Sequence, residues 1–300
     1  MKMEEQRMRK RTVITFIVTI AFLLTGLASA YAQQDIRFGV LAKRGVSKAQ
    51  EKWGPTADYL GKRLKNRCVL VPLKFVEIEP ALKNKEIDFL LANSAFYARF
   101  KDKYGLKAIN TMINRKKDIA LKEFGGVLFV RNDSSIKSIR DIKGKKLMCV
   151  KYSSFGGAQM AWRLLLEQGV NPKKDCSAFV QGGTHDKVVL AIKQGVADVG
   201  TVRSDTLERM ESEGIIRMQD FRIINKMEDS YPFVHSTRLY PEWPFAACAT
   251  TDPKLAKKVA KYLMLLDFTH EAMAASKVYK WTYPSNYADV TECLRVIGML

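Results

Sequence analysis

Lys146-Leu147-Met148-Cys149-Val150 runs straight into Lys151-Tyr152-Ser153-Ser154-Phe155-Gly156-Gly157, after which a helical pattern continues to Gln168. An apolar run of strand length, a loop of hydroxyls and glycines, and a helix make one strand–loop–helix unit. The unit recurs. Ala178 to Gln181 reads as a strand, Gly182-Gly183-Thr184-His185 as its loop, and a helix follows to Gln194. Asp198 to Val202 is another strand, and Val202-Arg203-Ser204-Asp205 leads from it into a helix ending at Glu213. Strands alternating with helices of this length predict parallel pairing and an α/β fold.

The same alternation extends outward. Upstream, strands are predicted at Ile36 to Leu41, Val69 to Phe75, Phe89 to Ala92, Lys107 to Ile113 and Gly126 to Val130. Helical stretches fall at Ser47 to Trp53, at Pro55 to Leu64 with proline at a first-turn position, at Ile78 to Lys83 and from Asn93-Ser94 through Tyr104. Downstream come a strand at Phe221 to Ile224 and helices at Pro253 to Phe268, Glu271 to Tyr279 and Asp289 to Ile297. No repeat of fixed period and no long linker interrupts the pattern. It predicts two α/β lobes crossed more than once by the chain: residues 33–131 plus 232–300 as lobe 1, and residues 132–231 as an inserted lobe 2. The crossings are expected near Val127 to Arg131 and Tyr231 to Thr237. A cleft faced by the carboxyl ends of strands is where α/β sheets bind small ligands.

The N-terminus predicts the compartment. Lys2, Arg7, Arg9, Lys10 and Arg11 precede an uncharged apolar run from Val13 to Leu27, and Ala30-Tyr31-Ala32 follows. A basic end, an apolar centre and an A-x-A exit read as a secretory signal peptide over residues 1–32, cleaved after Ala32 into the periplasm. An uncleaved anchor is the alternative, although fifteen apolar residues fall short of the ~20 that span a bilayer. The 300 residues carry 50 Lys and Arg against 31 Asp and Glu, a net +19. Such a surplus suits nucleic acid, a membrane surface or small anions; export argues against nucleic acid. Five cysteines and three histidines without CxxC or HxxxH spacing point to neither a disulfide scaffold nor a zinc site, and no metal or cofactor is expected.

The junctions supply candidate ligand groups. Ser153, Ser154 and Gly156 offer hydroxyls and free backbone N–H groups at a helix start, where the dipole adds about half a positive charge; simple helix capping explains the hydroxyls equally well. Thr184 can cap the next helix, and His185 would project from its first turn toward the same strand ends, with a purely structural histidine as the alternative. Asn93, Ser94 and Tyr97 follow Phe89 to Ala92, with capping and core packing as the alternatives. Arg203 follows a buried-type strand and could clamp an oxyanion through its fork or pair with a carboxylate at the lobe edge. Arg44, after the first strand, is a further candidate. No nucleophile elbow, Walker loop, GxGxxG or HExxH is present, so no enzyme is expected.

Gly39-Val40-Leu41-Ala42-Lys43-Arg44-Gly45, Trp53-Gly54-Pro55-Thr56-Ala57-Asp58-Tyr59-Leu60, Glu123-Phe124-Gly125-Gly126-Val127, Ser154-Phe155-Gly156-Gly157, Gly183-Thr184-His185-Asp186, Arg203-Ser204-Asp205-Thr206-Leu207-Glu208-Arg209-Met210 and Ser236-Thr237-Arg238-Leu239-Tyr240-Pro241-Glu242-Trp243-Pro244-Phe245 occur in that order. Together they resemble the phosphonate-binding, PhnD-like periplasmic proteins, and among these the periplasmic sensor modules of tetrathionate-sensor-like histidine kinases. The resemblance implies a two-lobed type II periplasmic-binding fold that closes on an anionic solute. It implies that the loop Ser153 to Gly156 and His185 face the anion. Phe155 and Gly156 stand where transport-type members carry further hydroxyls, and Ser94 where many have proline. The expected partners are a small anion of phosphonate, phosphate or other oxyanion type and either an ABC transporter permease or a membrane sensor kinase.

Overall fold

The computed structural model describes Met3, residues 34–116 and residues 119–300, and its compact unit is Ile36–Leu300. The signal-peptide expectation lies outside the described residues. Among the described residues no helix is long and apolar enough to cross a membrane.

In chain order the strands are β1 (Ile36–Leu41), β2 (Cys68–Leu73), β3 (Phe89–Leu91), β4 (Lys107–Lys116) and β5 (Ile119–Leu121). Next come β6 (Glu123–Phe124), β7 (Gly126–Arg131), β8 (Lys146–Cys149), β9 (Ala178–Gln181), β10 (Val199–Arg203) and β11 (Phe221–Ile224). The last are β12 (Tyr240–Pro241), β13 (Pro244–Ala247) and β14 (Val278–Thr282). One sheet has the order β14-β4-β13-β3-β1-β2, with β5 on β4, and a second has the order β11-β7-β10-β8-β9.

The parallel strands are the apolar runs. β1 pairs β2 and β3 in parallel, and Phe38, Val40, Phe89, Leu90 and Leu91 are at most 1% exposed. Strands covered on both faces need no alternation, which is why these segments are apolar but for the half-buried Arg37, which pairs with Asp88. In the second sheet β8, β9 and β10 run parallel while β7 is antiparallel to both β10 and β11. Along β7, Val127 and Phe129 join the core on one face, and Leu128 and Val130 join the core on the other.

Between the sheets, β6 pairs antiparallel with β12, setting Phe124 opposite Tyr240. The returning chain is pinned just before this pair. The Ser236 hydroxyl donates to the Ile224 carbonyl at 2.7 Å and accepts from the Leu128 N–H at 2.9 Å, and Thr237 Oγ1 accepts from the Gly126 N–H at 2.9 Å.

Three boundaries differ from the sequence reading. By sequence, residues 126–131 fall in lobe 1, yet β7 lies inside the second sheet between β10 and β11, so the chain leaves the first sheet by Glu123–Phe124. The two helical stretches around Pro55 are one helix, Val46–Leu64. Proline costs one bond there, to the Glu51 carbonyl, while Ala49, Trp53, Ala57 and Leu60 keep a continuous buried face across it. The helix expected to reach Tyr279 stops at Ser276: Lys277 adopts φ 53°, and Val278–Thr282 turns into the edge strand β14 beside β4.

Candidate ligand-binding cleft

The cleft is built where strands of both sheets end. On the lobe 1 side, β1 gives way to Ala42-Lys43-Arg44-Gly45, and Gly45 at φ 100° makes the turn into the helix Val46–Leu64. Lys43 lays its ammonium 4.9 Å from the centre of the Trp243 ring, and Lys52, on that helix, lies 4.9 Å from the Trp53 ring. Lys116 closes β4 and reaches Asp205 at 2.5 Å.

On the lobe 2 side, the chain after β8 enters a π-helical turn, Phe155–Gln159, capped by the backbone of Ser154 and continuing as the helix Met160–Glu167. The start of such a turn leaves N–H groups without intrahelical acceptors. Gly156 and Gly157 are required by close packing: a Cβ at Gly156 would meet the Phe124 ring at 2.9 Å, and one at Gly157 would meet Val150 at 2.5 Å. After β9, Thr184 caps the helix His185–Lys193 by accepting from the Lys187 N–H at 3.3 Å. His185 Nδ1 accepts the Arg203 N–H at 3.2 Å, which leaves the imidazole proton on Nε2 as a donor.

Arg203 ends β10, buried, with its guanidinium 4.0 Å from the Phe124 ring. Its fork is filled from within the protein. Nη1 donates to Glu242 Oε2 at 3.3 Å, Nη2 pairs with Oε1, and Nε donates to Asp205 Oδ1 at 3.3 Å. Asp205 holds the left-handed conformation at φ 71°, a strained position for a non-glycine residue that its two cationic partners keep in place.

These charges shape one another. Burial opposes the Arg203 charge, but Glu242 and Asp205 outweigh it and raise its pKa. Burial likewise opposes ionisation of Asp205, and Lys116 and Arg203 overcome it and hold the carboxyl below its ordinary range. For Lys43 the balance falls the other way: burial, reinforced by Arg203, Lys52 and Lys116, outweighs the attraction of Asp205 and brings it well below an ordinary lysine. Lys52 falls to about 7 through burial and the repulsion of Lys116 and Arg203. Burial and the nearby Lys43 and Arg203 push His185 down to about 3, so its imidazole is neutral.

Two adjoining cavities result. The larger, about 490 Å³, is lined by eight Lys and Arg side chains against four Asp and Glu. The smaller, about 20 Å³, lies among Asn93, Ser154, Gly156 and the rings of Phe75, Phe124, Phe155 and Trp243. His185 and Arg203 border both.

The expected site residues divide accordingly. Ser154, Gly156, Asn93, His185 and Arg203 meet at the small cavity, and Thr184, His185, Arg203 and Arg44 at the large one. Asn93 spends its carbonyl oxygen capping the helix Ser94–Tyr104, accepting from the Ala95 and Phe96 N–H groups, and donates Nδ2 across the cleft to the Ser153 carbonyl at 3.4 Å. Ser153 contributes that backbone oxygen and borders neither cavity. Arg44 also spans the cleft, reaching Asp186 at 3.3 Å, while Asp186 pairs with Arg209. Ser94 and Tyr97 stand outside. The Ser94 hydroxyl, fully buried, donates to the Pro241 carbonyl at 2.6 Å, and Tyr97 packs edge-on against Tyr287 with its hydroxyl accepting from the Ala108 N–H at 3.4 Å.

Sequence reading did not single out Lys52, Lys116, Glu242 and Trp243. Lys52 faces the cleft from a helix interior, and Lys116 ends a strand longer than expected. Only pairing of distant segments places them together. The Glu242-Trp243 pair, directly after the second crossing, carried a signal in its position: a carboxylate between the lobes needs a buried cation.

Comparison with known proteins places the fold. The tetrathionate sensor histidine kinase TtrS of Salmonella typhimurium is 26% identical over 259 residues, 86% of this chain. The chain spans 43% of that kinase. PhnD1 from Prochlorococcus marinus, solved in complex with methylphosphonate, superposes with a TM-score of 0.72 at 14% identity, covering 89% of this chain and 99% of that one. XAC2383 from Xanthomonas citri, solved bound to ATP, gives a TM-score of 0.71 at 16% identity over 88% of this chain and 97% of that one. The fold is the two-lobed type II periplasmic-binding architecture. The family described as ABC transporter, phosphonate, periplasmic substrate-binding protein matches residues 38–289. The chain belongs to this family of periplasmic phosphonate-type substrate-binding proteins.

Proposed function

We propose that this chain is a periplasmic solute-binding protein that captures a small oxyanion in the cleft between its lobes and hands it, unaltered, to an ABC importer. One observation carries the reading: the large cavity is lined by twice as many cationic as acidic side chains. Half-buried lysines that make no ion pair among the described residues lose hydration without full compensation, and Lys43 and Lys52 accordingly sit below the ordinary lysine range. An incoming anion restores their charge and relieves that cost. The His185 Nε2 proton adds a neutral donor.

Capture without chemistry fits the same groups. No cysteine lines either cavity, and burial pushes the thiols of Cys149 and Cys293 up to about 12, far from the reactive thiolate. The basic, apolar and small-residue segments of residues 1–32 support export with cleavage after Ala32. The two sheets, joined at β6 and β12, support a division into two lobes hinged at that pair.

A second reading, ligand capture on behalf of a membrane histidine kinase, is favoured by the similarity to the kinase TtrS. A permease and ATPase gene beside this one supports the importer reading, and a kinase gene supports the sensor.

The test is a thermal-shift series with phosphate, phosphite, methylphosphonate, sulfate, tetrathionate and acetate. A ligand at a hundred times its Kd stabilises by about 2.7 kcal/mol, or roughly 4–5 °C for a protein of this size. At least one oxyanion is expected to reach that range. No shift from any of them overturns the reading.

A further inference from the structure

We infer that the anion sits on the lysine cluster of Lys43, Lys52 and Lys116 in the large cavity, rather than in the Ser154–Gly156 loop, and that it is a dianion. This rests on the oxyanion-capture reading and names its seat.

Volume decides the seat. A cavity of about 20 Å³ holds little more than one water, and a tetrahedral oxyanion is larger. The loop cavity is narrowed by aromatic side chains, Phe155 packing edge-on against both Phe124 and Tyr240 with ring centres 6.0 and 4.9 Å apart. Gly156 itself lies against the Phe124 ring. The neighbouring cavity, about 490 Å³, accepts the ion without any ring moving.

Charge decides the valence. Lys43, Lys52, Lys116 and Arg203 all line this cavity, with Asp205 between Lys116 and Arg203, so they form a single group of four cationic sites. Two internal carboxylates answer them: Asp205, shared by Lys116 and Arg203, and Glu242, taken up by Arg203. A monoanion leaves the group one charge short of neutrality and a dianion closes it. The outer pairs Arg44–Asp186, Arg209–Glu213 and Lys48–Glu51 are already balanced, and Lys277 at the rim is exposed to water, so none of them enters the count of the inner group.

Selenate, a permanent tetrahedral dianion visible by its anomalous scattering, tests both parts. Crystals grown with selenate should show the selenium peak within about 4 Å of the Lys43 or Lys52 ammonium. A peak between Ser154, Gly156 and His185 instead overturns the seat and leaves oxyanion capture standing. No peak anywhere in the cleft removes both. In solution, Lys52→Met and Lys43→Met should each weaken selenate binding at least tenfold, and Ser154→Ala less than twofold. The reverse order overturns the seat. Both lysine variants lose a poorly compensated charge, so their apo melting temperatures should hold or rise, separating lost affinity from lost folding. Perchlorate, the same shape with one charge, should bind at least tenfold more weakly than selenate; equal affinity overturns the dianion assignment.

Discussion

Arg203 and Glu242 face each other in a two-pronged ion pair, with 6% and 0% of their side chains exposed, and so tie the last inner strand of lobe 2 to the crossing that leads back to lobe 1. Glu242 also accepts from Asn114 Nδ2 at 3.1 Å and from the Trp243 N–H at 3.3 Å, so its carboxylate is held from three directions. A guanidinium engaged in this way is part of the frame.

Removing one partner strands a charge in the interior. Glu242→Gln should therefore destabilise the protein by about 3–5 kcal/mol, the range for breaking a buried pair. Urea unfolding of wild type and variant measures it, and a loss below about 1 kcal/mol would show that the pair is not a brace.

Lys52 makes binding depend on pH. In the empty cleft its ammonium is half lost at about pH 7, and an anion beside it favours the charged form. Binding should thus take up protons above pH 7, and affinity should fall as pH rises from 7 toward 10. Calorimetry in buffers of different ionisation enthalpy reads the uptake directly. In Lys52→Met it should shrink; an unchanged uptake would assign the proton to another group.

His185 predicts the acid side. Its folded pKa of about 3 lies below the ordinary 6.5, so the unfolded chain binds the proton first as pH falls. The contribution of the neutral imidazole is present above pH 6.5 and is lost between 6.5 and 3, with a slope of at most about 1.4 kcal/mol per pH unit. His185→Gln should lose less stability than wild type across that window, as followed by urea midpoints at a series of pH values. Parallel curves would contradict the assignment.

Gly157 should not tolerate a methyl group. A Cβ there would meet Val150 at 2.5 and 2.9 Å and the Ser154 hydroxyl at 2.7 Å. Overpacking of this kind costs about 1–3 kcal/mol, so Gly157→Ala should melt several degrees lower by calorimetry. An unshifted transition would mean that the π-helical turn can give way.

Much of this was legible before any coordinates. The apolar runs of β1, β3, β8 and β10 and the loops behind them declare parallel α/β lobes, because a strand covered on both faces leaves no polar alternation. The loop hydroxyls, His185 and Arg203 are marked by their place at strand ends. What lay hidden depends on pairing between distant segments. Nothing local in Lys52 or Lys116 distinguishes them from the many solvated lysines of a chain with net charge +19. Ser94 looks like a ligand hydroxyl until Pro241, 147 residues away, takes its hydrogen bond. Arg203 looks like an open fork until Glu242 fills it. Val278–Thr282 carries no decisive period, and its place as an edge strand follows from the left-handed turn at Lys277 and the free side of β4.

The central claim is that positive charge in the cleft captures an oxyanion. The direct measurement is isothermal titration of the anion giving the largest thermal shift, against wild type and against Lys43→Met/Lys52→Met. The account predicts one anion per chain for wild type, affinity that falls with added salt, and a loss of at least a hundredfold in the double variant with its fold intact. Undiminished binding by the double variant would contradict it.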